Sequence, residues 1–91
     1  MAILDDAKGV LRIGSTSFDF EVSGLIAEAR ADMVLCGVSY EKANDEADPL
    51  IKRAILVYCK ANFGWNNPDA ERLQRSYESI RNHLTMSTEY T

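Results

Sequence analysis

Strand-like alternation is missing from this 91-residue chain, and so is any apolar run approaching the ~18 residues that cross a membrane. The opening MAILDDAKG has no basic start followed by an apolar block, so a soluble protein made in the cytoplasm is expected. Cysteine is scarce. Cys36 and Cys59 form no C-x-x-C pair, and both fall in apolar stretches, where buried thiols acting as small hydrophobes are expected. Nothing supports the secreted context of a disulfide framework. A metal site would have to recruit His83, the single histidine, and finds no second one. Glycine-rich phosphate loops and nucleophile elbows are absent. The acid pairs Asp5-Asp6 and Asp45-Glu46 fall at a helix start and in an acidic loop, which explains them without catalysis. No catalytic residue, no cofactor and no metal site is expected, and the chain reads as a protein that is not an enzyme.

What the chain has in quantity is helical patterning. Its 46% apolar and 26% charged residues suit one folded domain over residues 1–91. The organising stretch is Asp48–Gly64. Asp48 can accept from a free first-turn N–H, Pro49 sits where its missing N–H costs nothing, and Gly64 can take the left-handed backbone that closes a helix. Between them Lys52, Arg53 and Lys60 form a thin polar stripe on an otherwise largely apolar surface. A helix that apolar is normally covered on several sides. In so short a chain Leu56 and Phe63 are hard to cover along with Ile51, Ile55 and Tyr58. Part of this helix, or the Trp65 turn after it, is therefore expected to meet a neighbouring subunit.

The other elements follow from spacing and caps. A weak first helix is expected at about 4–12, held by Leu4, Val10, Leu11 and Ile13 against the cost of Gly9. The second spans about 19–36, capped by Asp19 or Ser17 and closed by Gly37, with Val22, Leu25, Ile26, Ala29, Met33 and Cys36 in one stripe. On its other side Gly24, Ala27 and Ala31 are either surface filler or room for another helix. Residues 38–48 read as an acidic loop, functional or mobile. The third long helix runs over about 49–63. The last spans about 68–86, opened by Asn67, Pro68 and Asp69, with Ala70, Leu73, Tyr77, Ile80 and Leu84 along a narrow seam. Ser87–Thr91 is expected to be loose. The fold class is all-α, a small bundle of three main helices plus a short N-terminal one.

Charge is unevenly placed. Residues 1–48 carry ten acids and four bases, a balance of −6; residues 49–91 carry four acids and six bases, +2; together these give the net −4. The split is either chance or a sign that opposite faces meet head to tail. An acidic chain lacks the basic face typical of nucleic-acid binders. A helix-turn-helix over Gly64–Pro68 with Arg72, Arg75 and Arg81 is only loosely met, because Asp69, Glu71 and Glu78 interleave.

The order of these features resembles a known family. The block DPLIKRAILVYCKANFGWNNPDAERLQRSYESIRNHLTMSTEYT is similar to the C-terminal half of the small head–tail connector (head-completion or DNA-packaging adaptor) proteins of tailed bacteriophages. Asp19 through Ala29-Arg30-Ala31-Asp32 to Cys36-Gly37-Val38 resembles the family's first long helix, and LDDAKGVLRIG its short leading helix. The resemblance implies a structural protein of the virion's head–tail junction, assembled as a ring of about twelve copies under the portal. It implies contacts with itself, with the portal, and with a tail-side connector or tail terminator. It also implies a channel through which double-stranded DNA passes without sequence-specific binding, and no membrane partner. No catalytic residue comes with it. An acidic channel wall would let DNA slide, since it removes the phosphate-binding attraction. Candidate subunit-interface residues are Tyr40, Leu56, Phe63, Trp65, Arg72, Arg75 and Tyr90, with loop 38–48 and tail 85–91 as reaching segments. The alternative is a small phage-encoded helical DNA-binding or regulatory protein.

Overall fold

One carboxylate and one apolar helix set the arrangement. A computed structural model describes residues 3–64 and 66–91. Among the described residues there are five helices and no strand: α1 Ile3–Leu11, α2 Asp19–Cys36, α3 Tyr40–Ala43, α4 Pro49–Asn62 and α5 Ala70–Thr85. The all-α bundle expected from periodicity is the one observed.

Helix α4 is the hub. Asp48 lies in extended backbone, and its Oδ1 accepts from the N–H groups of Leu50 (2.9 Å) and Ile51 (3.2 Å). Two of the otherwise orphaned first-turn donors are thereby satisfied. The helix stops one residue earlier than expected: Phe63 is already extended, and Gly64 takes φ 83° to turn the chain. Ile51, Ala54, Ile55 and Cys59 are fully buried, with α1, α2 and α5 packed around them.

Helix α2 has the expected bounds but not the expected cap. Neither Ser17 nor Asp19 caps it: Phe18 holds the N-cap position with no side-chain bond, and Asp19 pairs with Lys8 of α1 at 2.7 Å. Tying α1 down takes the carboxylate that would have capped α2. At the other end Gly37, at φ 124°, lets Val38 N–H reach Met33 O at 2.9 Å. Because the chain turns there, Val38 enters the core, while Cys36, assigned to the buried stripe, is exposed. In α1 the core residues are Ile3 and Ala7, and Val10, expected to pack, is exposed.

Helix α5 starts later than position 68. Asn67 Oδ1 accepts from Asp69 N–H at 3.0 Å, making a turn of Pro68-Asp69, and Asn67 Nδ2 donates to Lys60 O at 2.7 Å. Leu73, Tyr77 and Leu84 are buried along the expected seam. Tyr77 donates its hydroxyl to Asp32 of α2 at 2.6 Å, and Arg81 donates to the same oxygen at 2.9 Å while lying 5.7 Å from the Tyr77 ring centre. Burial, and then the bond to Asp32, raise the Tyr77 pKa, so the hydroxyl stays a donor.

Two segments depart from expectation. The loop 38–48 contains α3, capped by Ser39 Oγ accepting from Lys42 N–H at 3.3 Å, with Ala43 buried. The tail is docked rather than loose. Ser39 N–H donates to Tyr90 O at 2.8 Å, the Tyr90 hydroxyl donates to Asp48 Oδ1 at 3.1 Å, and Lys42 Nζ lies 5.3 Å from the ring centre. Tyr90 is only 7% exposed. A single aromatic in a polar tail has no periodicity to announce its burial, so composition alone misreads it.

Asp48 thus serves α4 and the tail at once. Asp48→Ala is expected to cost about 1–2 kcal/mol as a lost cap. Tyr90→Phe is expected to cost about 1 kcal/mol, and the double variant less than the sum, as urea denaturation would measure. Burial pushes the Asp48 pKa up. The bonds from Ile51, Tyr90 and Leu50, with the Lys42 charge, outweigh that and leave it below the ordinary 3.8. A depressed carboxylate stabilises above its unfolded value and loses that contribution as pH falls through the native one. Wild-type stability should therefore fall more steeply than that of Asp48→Asn as the pH is lowered through and below 3.8.

The two thiols should behave differently. Burial, and then the nearby Glu28 charge, push Cys59 up to about 11, whereas Cys36 is open to solvent. Near neutral pH a thiol reagent should titrate one cysteine in the native protein and two in denaturant. Two fast-reacting native thiols would contradict the packing of α4.

Candidate functional site

Of the acids singled out by sequence, Asp6 and Glu46 are bound up in holding helices. Asp6 pairs with Lys52 at 2.9 Å, joining α1 to α4. Glu46 accepts from Ile3 N–H at 2.9 Å and lies 3.6 Å from Arg30. His83 Nδ1 sits 2.8 Å from Ser79 O, one turn back on its own helix. Tyr58 donates to Glu28 at 3.0 Å, and burial together with that carboxylate pushes it up to about 12. Among the described residues no group of three His, Cys, Asp or Glu is placed to hold a metal ion, and no helix is long and apolar enough to cross a membrane.

The residues named as contact candidates are scattered. Tyr40 stands 73% exposed at the start of α3. Arg72 and Arg75 are exposed on α5, held only by near neighbours: Asp69 at 3.6 Å and Glu71 at 2.9 Å. Such exposed pairs are weak, so both guanidiniums can be redirected. Leu56 is half-buried on α4, and Phe63 is half-buried edge-on against Phe18 at 5.6 Å between ring centres. Tyr90 is buried within its own chain. Trp65 lies outside the described residues.

The larger uncovered apolar surface is on α2, not α4. With 3.6 residues per turn, Phe20, Gly24, Ala27, Ala31, Val34 and Leu35 fall within about 100° of arc, opposite the buried stripe. All six are exposed, Phe20 at 92% and Leu35 at 85%. No charge interrupts them; Glu21, Glu28 and Asp32 line one edge. On the other edge Ala27, Arg30, Ala31 and Val34 form a groove of about 410 Å³ with Tyr40 and Asn44 from α3 and the turn after it. The helix is therefore apolar on two sides, and its own chain covers one. The sequence signal was present in Gly24, Ala27 and Ala31. Phe20 and Leu35 stand at the two ends of that second stripe, whose middle is made of small residues that equally suit a solvent-facing surface.

What this arrangement can do chemically is dock against another surface. Comparison with curated proteins and with solved structures gives no match. The family model for the phage connector protein matches residues 3–91. That match takes in α1 through the docked tail, and the chain therefore belongs to the phage connector protein family.

Proposed function

We propose that this chain is a structural head–tail connector that assembles as a ring of about twelve copies beneath the portal. In that place it extends the DNA channel, helps to retain the packaged genome, and gives a tail-side connector or tail terminator its docking surface. The whole chain, residues 1–91, serves as a single connector domain. Family membership over residues 3–91 carries the reading. The uncovered outer side of α2 supports it, because a chain this small seldom leaves Phe20 and Leu35 in water without use for them. The acidic balance of residues 1–48 suits a channel that repels the DNA backbone and so keeps it mobile.

The test is head completion. Particles made without this chain are expected to fill with DNA and then leak it, and to lack tails; adding the purified protein restores tail attachment. Heads that keep their DNA and acquire tails in its absence would contradict the proposal. So would a chain that binds a DNA probe at moderate salt and leaves head completion unaffected, the behaviour of a DNA-binding regulator.

A further inference from the structure

Helix α5 also has an unused side, opposite its buried seam. Arg72, Arg75, Ser76, Ser79, His83 and Met86 fall on that side by helical spacing and are all exposed, Met86 at 85%. The side chains next to the axis are small serines, and the charges at its N-terminal end are positive. Glu71 and Glu78 lie at its border. The two outward faces are thus of opposite character. The outer side of α2 is apolar and edged by Glu21, Glu28 and Asp32, whereas the outer side of α5 is polar and carries Arg72 and Arg75. They also match in length. Phe20 to Leu35 spans about 22 Å along α2, and Arg72 to Met86 about 21 Å along α5.

We infer that the outer face of α2 on one copy receives the outer face of α5 on the next. This rests on the connector reading and names the surfaces that such a ring would use. The small residues Ala27 and Ala31 let the second helix approach closely, with Phe20 and Leu35 closing over it at either end. Met86 supplies an apolar knob for a face that has Val34 and Leu35 at its C-terminal end. Arg72 and Arg75 leave their weak local partners for the exposed carboxylates of Glu21 and Glu28 on the acidic edge, while Asp32 stays with Tyr77 and Arg81 of its own chain. Complementary charge orients the encounter, and it opposes two α2 faces or two α5 faces meeting each other. The contact is heterologous, so each copy uses both surfaces, and repetition closes a ring if the rotation allows.

The test uses the full chain and two variants that each spoil one surface. Ala31→Arg puts bulk and positive charge on the exposed side of α2. The double variant Arg72→Glu, Arg75→Glu reverses α5. Neither touches the core, and circular dichroism with thermal melting checks that both still fold. In sedimentation velocity at high protein concentration, wild type is expected to form assemblies larger than a dimer. Each variant alone should need about tenfold more protein or worse to associate, a loss of at least ~1.4 kcal/mol. Mixed in equal amounts, the two should form a heterodimer and nothing larger, because only one pair of intact surfaces remains. Wild type that stays monomeric overturns the inference. So does association of Ala31→Arg as strong as wild type, or a mixture that yields no heterodimer. If the variants assemble normally and also restore tail attachment to heads, the surfaces are wrong while the connector function stands. If wild type assembles as described but does not complete heads, the function is wrong while the contact stands.

Discussion

Covering α4 is the constraint from which the rest of the architecture follows. Ile51, Ala54, Ile55 and Cys59 spread over about 140° of arc on one helix, and all are fully buried. That takes α1, α2 and α5 together. Each of these can offer only one side to the hub. Whatever apolar surface they carry on the other side stays in water, and α2 carries a good deal of it.

The polar contacts make sense in the same frame. Each helix that leans on α4 is fastened by a charge or a hydroxyl as well as by packing. Lys52 to Asp6 holds α1, and Tyr77 and Arg81 to Asp32 join α5 to α2. Asp48 fastens the end of the chain through Tyr90 while capping α4. Asp48 serves two elements through a single oxygen atom, so its loss would loosen both the start of α4 and the tail, whereas both bonds to Asp32 Oδ2 come from α5. The cost falls on α2, whose Asp19 is committed to Lys8 and leaves the helix start without a side-chain cap.

Much of this was legible in the residues. Asp48-Pro49 and Gly37 marked helix ends because caps are local chemistry. The buried stripes of α2 and α5 were legible because helical spacing survives any tertiary arrangement. The docked tail was not, since it depends on contacts between segments about 40 residues or more apart, as in Tyr90 with Asp48, and α3, four residues long, is too short for a helical period to show. The uncovered surface was expected on α4 for its apolar girth. Girth counts residues without saying how many neighbours there are to cover them. Leu56 and Phe63 found partial cover within the chain, while Phe20 and Leu35, less conspicuous in the sequence, found none.

Side-chain oxidation footprinting tests the central claim most directly, that the outer sides of α2 and α5 are the surfaces buried between copies. Hydroxyl radicals should modify Phe20, Leu35 and Met86 readily in dilute protein. In assembled protein those three should be protected, while Leu50, exposed on the first turn of α4, is modified equally in both. Protection of Leu50 with Phe20, Leu35 and Met86 unchanged would place the contact on α4 and contradict the account.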